Sequence, residues 1–343
     1  MRSWKILALL SFAAASAHAE PLTIAIGSCN NQEDEQQYWN EIAAKDPAMF
    51  LFLGDNVYGD IYREERPGVE GLRHAYELQS QHEPYRSFAQ DVPIYPIWDD
   101  HDYGLNDAGE ELPFKQEAKQ ELLAFFDFPQ ADAVESRDGV YYAIEREVDG
   151  MTVQILMLDT RWNRSPLTRI ERRIDARRGA YVDDPSADVT ILGEQQWAWL
   201  EQQLEKPADL RFIASSIQIL ADSHHFERWG NFPKERQKLF DLFARTGAKG
   251  IILLSGDRHL GGFYLNDQAL DYPLYEFTAS SLNRGGWAKT NEDGPYQILG
   301  TYGGENFGLI EIDAELGTVA MSLHRSEDGK PVRALRLPVD LLR

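Results

Sequence analysis

Two short apolar runs in this chain each stop at a Gly-Asp pair, and that pattern limits the fold more than any other feature. Residues 49–53 run into Gly54-Asp55-Asn56-Val57-Tyr58, and residues 251–254 run through Ser255 into Gly256-Asp257-Arg258-His259. A short run that is apolar at every position suits a strand covered on both faces. Between the two, residues 92–98 run into Asp99-Asp100-His101-Asp102. Open α/β sheets bind ligands beyond the carboxyl ends of their strands. Three separated segments that deliver Asp, His and Tyr to that edge point to one metal centre.

The rest of the chain fits this frame. A strand over 22–26 ends at Gly27-Ser28-Cys29-Asn30, and a helical stretch follows over 34–45. Residues 64–90 are polar and helical, broken at Pro84, and an amphipathic helix spans 115–126 after Pro113. Residues 139–146 and 152–158 form a hairpin around Asp149-Gly150. Helices over 194–204 and 234–246 alternate with strands over 211–220 and 250–254, and strands dominate from Tyr275, including 307–312 and 319–324 around Gly317. Residues 161–188 lack periodicity and read as a lid or a flexible insertion. This alternation predicts an α/β fold: a pair of mixed sheets with helices on the outer faces. The full chain of 343 residues is 43% hydrophobic, enough for a substantial core, and positions 20–343 suit a single domain.

Residues 1–19 read as a secretory signal peptide. Arg2 and Lys5 precede an apolar stretch over 6–15, and Ala17-His18-Ala19 forms a small-x-small cleavage site. The stretch is too short to span a bilayer, which disfavours a membrane anchor. Gly27-Ser28-Cys29 faintly resembles a lipoprotein site but lies far from it. The expected location is periplasmic or secreted. Removal of residues 1–19 takes away two positive charges and moves the net charge from −22 to −24. Such a surface disfavours non-specific binding to nucleic acid or anionic membranes and repels phosphate esters at long range, so any phosphate site must be locally positive. Cys29 is the only cysteine, so no intramolecular disulfide forms. A lone cysteine is ordinarily a small buried apolar residue, but this one stands at a strand end.

Six strand-like segments end in polar clusters: Cys29-Asn30, 55–58, 99–102, Asp159-Thr160-Arg161, Ser215-Ser216-Ile217-Gln218 and 257–259. One strand-end Asp is a cap or turn residue; six clusters rich in ligand types are harder to assign to turns. Cys thiolate, Tyr phenolate and His nitrogen favour Fe3+ or Zn2+, whereas Asp, Asn and Gln oxygens favour Ca2+, Mg2+ or Mn2+. Both sets occur, which suggests a mixed centre with one carboxylate, Asp55, shared by two ions.

These motifs, in this order, resemble the alkaline phosphatase D (PhoD-like) family of calcineurin-like metallophosphoesterases, a superfamily that also contains the purple acid phosphatases. The matches run from Gly27-Ser28-Cys29 through Gly54-Asp55-Asn56-Val57-Tyr58, Trp98-Asp99-Asp100-His101-Asp102, Leu158-Asp159-Thr160-Arg161 and Ser215-Ser216-Ile217-Gln218 to Gly256-Asp257-Arg258-His259. The resemblance implies a four-layer α/β/β/α metallophosphatase sandwich. It maps Cys29, Asp55, Tyr58 and His259 onto an iron-like site. Asp55, Asp100 and Asp257 map onto an adjacent site filled with calcium. Asp100 stands where the wider superfamily has Asn, and Asp257 where it usually has His, so both changes suit oxygen-loving ions. Asn56, Asp102 and Gln218 are candidates for metal binding or for support behind the ligands. The implied cofactor is a centre of two or more ions, Fe3+ with Ca2+, with Zn2+, Mn2+ or Mg2+ as alternatives.

The implied activity is hydrolysis of small-molecule phosphate mono- or diesters by a hydroxide that bridges the ions. His101 is the candidate proton donor to the leaving oxygen, held by Asp102 and a metal; otherwise it is a structural histidine bonded to Asp102. Arg161 is the candidate phosphate clamp, against an ion pair with Asp159 or Asp183. His224-His225 could border the pocket, and Trp229, Trp287 and Tyr302 could line it. The basic run over 169–178 reads as solvated. Two competing functions stand beside this one: an exported protein that binds phosphate without turnover, and a phosphodiesterase specific for lipid or cell-wall diesters.

Overall fold

The computed structural model describes residues 21–170, 179–285 and 294–343. The signal-peptide reading, Trp287 and most of the basic run over 169–178 lie outside the described residues. The described elements run β1 (Leu22–Gly27), α1 (Tyr38–Ala43), β2 (Met49–Leu53), α2 (Val69–Gln79), α3 (Glu83–Asp91), β3 (Ile94–Ile97), α4 (Asp100–Tyr103), α5 (Lys115–Phe125), α6 (Ala131–Ser136), β4 (Tyr142–Val148), β5 (Met151–Met157), α7 (Gly193–Leu204), β6 (Leu210–Ala214), α8 (Pro233–Thr246), β7 (Ile251–Ser255), β8 (Gly261–Asn266), β9 (Leu274–Ala279), β10 (Gln297–Tyr302), β11 (Asn306–Asp313), β12 (Thr318–Arg325) and β13 (Pro331–Pro338).

They form two mixed sheets, ordered β13-β12-β11-β1-β2-β3 and β10-β8-β9-β7-β6-β5-β4. Strands β1, β2 and β3 are parallel, as are β5, β6, β7 and β9. The alternation of β2 shows how the layers stack. Phe50 and Phe52 pack edge-on against Trp39 of α1. Leu51 pairs with Ile26, and Ile26 pairs with Gly308, where an added Cβ would lie 2.7 Å from the Phe277 ring of the second sheet. Both faces of β2 are therefore covered, which is why it is apolar throughout. On the other side, Gln154 of β5 donates to the Gln203 carbonyl of α7. The result is a mixed α/β fold of two sheets between helical layers.

Pro84 starts α3 rather than merely breaking a helix. Asp149 and Gly150, both with positive φ, make the tight turn of the β4–β5 hairpin. Around residues 161–188, the described parts are tied down: Arg169 bridges Tyr181, Gly179 bridges His225, and the Tyr181 hydroxyl donates to Asp107. Among the described residues, no helix is long and apolar enough to cross a membrane.

Candidate metal centre

The parallel strands of both sheets bring their carboxyl ends to one edge of the sandwich. There the backbone turns sharply. Cys29, Asp55, Asp257 and His259 all adopt left-handed φ, at 59°, 49°, 61° and 53°. This conformation is uncommon for residues other than glycine and clusters at functional sites. Glycines beside them let the two sheets touch. A Cβ on Gly54 would lie 3.0 Å from Ser216 Cβ, and one on Gly256 would lie 2.6 Å from the Leu53 carbonyl. Within each sheet, backbone bonds tie neighbouring strand ends together: Asn30 N after β1 donates to Asp55 O after β2 (2.9 Å), and Gly256 N after β7 to Ser216 O after β6 (2.9 Å).

The side chains converge. The Tyr58 hydroxyl donates to Asp55 Oδ2 (3.1 Å) and itself lies 3.1 Å from His259 Nε2. Cys29 Sγ is 3.5 Å from Asp55 Oδ2. Cys29, Asp55 and His259 each place one ligand atom within 4.8 Å of the others. The same spacing holds for Asp55, Asp100 and His101, for Asp99, Asp100 and Asp257, and for Asp100, Asp107 and Glu227. Asp55 and Asp100 thus join adjoining groups, the first richer in sulfur and nitrogen, the others in carboxylate oxygen.

Electrostatics favour a cation at this edge. Burial, then Asp55 and Asp257, push the Cys29 thiol well above its ordinary range. Burial raises the carboxyls of Asp55 and Asp257 in the same way, each with help from Asp99 and Asp100. Burial and Arg284 take His259 down to about 3, so its imidazole is neutral, the form that ligates. Asp99 Oδ2, Asp100 Oδ1 and Asn56 Oδ1 are buried with no hydrogen-bond partner among the described residues. Stranded acceptors among mutually repelling acids fit bound cations, and the donor types fit a thiolate- and phenolate-tolerant ion beside an oxygen-loving one.

This crowding has a pH signature. Burial pushes Asp99 up to about 7 and Asp102 up to about 8, against an ordinary 3.8. Raised carboxyls bind more protons folded than unfolded, so metal-free protein loses stability as pH climbs from the ordinary value through the raised ones. Thermal melts of chelated protein should therefore fall steadily between about pH 4 and pH 8. The stabilisation gained on adding metal should grow over the same range, because the ligands must shed protons to bind. A chelated protein whose melting temperature rises across that range would contradict the charge crowding.

Several residues sit otherwise than the sequence suggests. Arg161 is not a phosphate clamp. Its guanidinium is fully buried at 0% exposure, donating to Asp99 Oδ1 (2.7 Å), Glu227 Oε2 (2.7 Å) and the Ala108 carbonyl (3.2 Å). Its ion-pair partners are those two carboxylates rather than Asp159 or Asp183. His101 does not lean on Asp102. His101 Nδ1 lies 2.7 Å from Asp60 Oδ1, while Asp102 accepts from the Asp99 and Asn56 amides at 2.7 and 3.1 Å and caps α4. Asn56 donates its side-chain amide to Ile97 O (2.9 Å) and to Asp102. Asn56 and Asp102 therefore brace the loops that carry Asp55 and Asp100.

Gln218 donates its side-chain N–H groups to Tyr264 and Thr278 and accepts from His224 Nε2 at its amide oxygen (3.1 Å), which commits its amide to a buried network apart from the ligand groups. His224 is buried and His225 meets the Tyr181 carbonyl. Trp229 is core, with its indole N–H on Ser215. Asp60, in the 3-10 turn Gly59–Tyr62 just past Tyr58, and Asp107, Glu227 and Arg284, in loops, all lie outside the strand-end motifs, so no sequence pattern marks them.

A two-sheet sandwich with Cys, Asp, Tyr and His gathered at its strand ends defines a metallophosphatase. The chain matches the sequence profile of the PhoD-like phosphatases over residues 24–315, and it belongs to that family. Members are hydrolases acting on phosphoester bonds. Its fold is similar to the solved structure of PhoD, with TM-score 0.69 and 14% identity, covering 94% of this chain and 73% of that one. It is also similar to purple acid phosphatase PPD1 from yellow lupin (Lupinus luteus) seeds, with TM-score 0.60 and 12% identity over 93% and 54% of the two chains. A third likeness is to GAP50, the anchor in the inner membrane complex of Plasmodium, with TM-score 0.57 and 14% identity over 93% and 89%. Comparison with curated proteins gives no match.

Proposed function

We propose that this chain is an exported, metal-dependent phosphoesterase that hydrolyses small phosphate mono- or diesters. The observation that carries the reading is the convergence of Cys29, Asp55, Tyr58 and His259 beside Asp99, Asp100 and Asp257, with Asp55 common to two groups. Cys29, Tyr58 and His259 suit Fe3+, and Asp100 and Asp257 suit Ca2+, with Zn2+, Mn2+ or Mg2+ as alternatives. Bound there, the ions supply Lewis acidity and an activated water for in-line displacement at phosphorus.

The chain's own residues supply proton handling and alignment. His101 packs 4.2 Å from the Tyr58 ring centroid, and its side chain is 17% exposed. Burial opposes its positive charge, but Asp100, Asp55 and Asp60 together hold its pKa well above the ordinary value. Asp60 fixes the ring through Nδ1, leaving Nε2 to protonate the departing oxygen. Asp60 Oδ2 also accepts from the Asn106 amide (3.1 Å), so the loop after α4 is anchored to the same carboxylate.

The test is to measure metal content, and hydrolysis of an aryl monoester and a bis-aryl diester, before and after chelation. About two or more metals per chain and activity lost on chelation are expected. Iron at Tyr58 would add a phenolate-to-metal charge-transfer colour; a colourless, iron-free, active sample removes iron while leaving the enzyme. A metal-loaded protein that cleaves neither ester sinks the proposal and leaves phosphate binding without turnover.

A further inference from the structure

A site built from buried acids needs a local cation to receive an anionic ester, and in a chain with 34 basic against 56 acidic residues such a cation is scarce. Arg161 is consumed by Asp99 and Glu227, and Arg164 also pairs with Glu227 (2.7 Å). Arg258 lies over the Phe226 ring and is nearly buried. Arg284 differs from all three. Its guanidinium lies 4.2 Å from the centroid of the Tyr58 ring, and its side chain is only half-buried. Among the described residues it makes no ion pair with a carboxylate. Stacking uses the flat face of a guanidinium and leaves its in-plane N–H donors unspent, five in all.

Its position is firmly set. The segment that carries it follows β9 and is stitched to the Cys29 turn. Leu282 N donates to Ser28 O (2.9 Å), Asn31 N to Asn283 Oδ1 (2.7 Å), and Asn283 Nδ2 back to Asn31 O (2.9 Å). Ser280 Oγ accepts from His259 N (2.9 Å) and sits 3.0 Å from Cys29 Sγ. The Tyr58 hydroxyl is the oxygen shared with Asp55 and His259, so a guanidinium on that ring lies alongside the ligand group. His101 packs on the same ring. One aromatic plate therefore carries both the proton donor and a cation with free donors.

We infer that Arg284 is the phosphate-binding cation of this site, directing N–H donors to a non-bridging oxygen of the ester phosphorus, a role that the buried Arg161 cannot fill. The inference rests on the phosphoesterase reading. A planar guanidinium fork matches phosphate oxygens better than an ammonium does.

The test is titration of inorganic phosphate into metal-loaded wild type, Arg284→Ala and Arg284→Lys, with metal content, melting temperature and KM for the bis-aryl diester measured alongside. Arg284→Ala should weaken phosphate binding by about 10- to 100-fold, the loss of a charge-assisted hydrogen bond. KM should rise with it, metals and melting temperature should hold, and Arg284→Lys should recover part of the affinity. Phosphate affinity unchanged in Arg284→Ala overturns the role of Arg284 alone. Metal content falling in step with affinity also overturns it, since Arg284 would then serve only to hold the Tyr58 ring. Wild type that binds no phosphate and cleaves no ester overturns the phosphoesterase reading, and this inference with it.

Discussion

Asp55→Asn should abolish hydrolysis and metal loading while making the metal-free protein more stable. The two effects have one cause. Asp55 Oδ2 meets Tyr58 and Cys29, and Asp55 belongs to both the Cys29–His259 group and the Asp100–His101 group. Asn keeps the volume and tolerates the left-handed φ of 49° better than most residues. It also retains an oxygen for the His101 amide, which now donates to Asp55 Oδ1 (3.3 Å). What it removes is the shared charge. Metal ions supply several kcal/mol to phosphoryl transfer, so kcat/KM should fall on the order of 10³-fold or more. Without metal, burial and the neighbouring Asp100 and Asp99 oppose that charge, so the chelated variant should melt higher than chelated wild type. This opposition between activity and stability is expected of a site selected for function. A variant that retains metals and activity within tenfold of wild type would remove Asp55 from the centre of the site.

Much of the site was legible because strand-end chemistry is local. An apolar run followed by Gly-Asp predicts both a buried strand and an aimed carboxylate, and β2 matches residues 49–53. Tyr58 and His259 follow within a few positions and could be read with it. The misreadings come from partners that sequence does not bring together. Arg161 stands in a strand-end motif, but Glu227, which holds it, is 66 residues away. Sequence adjacency suggests Asp102 as the partner of His101, but adjacent helical residues do not face each other; Asp60 reaches it from 41 residues upstream.

The apolar pattern predicts a strand over 211–220 that carries Gln218, yet β6 stops at Ala214 and the chain turns away into the network with Tyr264 and Thr278. Strand β8 begins with Gly261-Gly262 directly after the His259 turn, and glycine weakens a strand signal. Left-handed φ at Cys29 has no compositional marker at all. It is imposed where β1 meets Gly54 and the segment after β9, and only tertiary packing shows it.

Arg161→Met should cost stability rather than substrate affinity. Asp99 Oδ1 accepts from Arg161 Nε and NH2 and from Ser216 Oγ (2.6 Å), while Asp99 Oδ2 has no partner among the described residues. Glu227 divides its oxygens between Arg161 and Arg164 at 2.7 Å each. All of these side chains are buried. Methionine approximates the length of the arginine stem but leaves two buried carboxylates short of a cation, one of them beside Asp100 and Asp257. Breaking a buried pair from one side costs about 3–5 kcal/mol. Metal-loaded Arg161→Met should accordingly melt several degrees lower than wild type, with Arg161→Lys between them because it keeps charge but loses the fork that spans Asp99 and Glu227. A clamp exposed to substrate would behave the other way: melting temperature would hold and phosphate affinity would fall. Measuring both quantities on the same variants separates Arg161, which fastens the strand ends of the two sheets together, from Arg284, which lies open beside Tyr58.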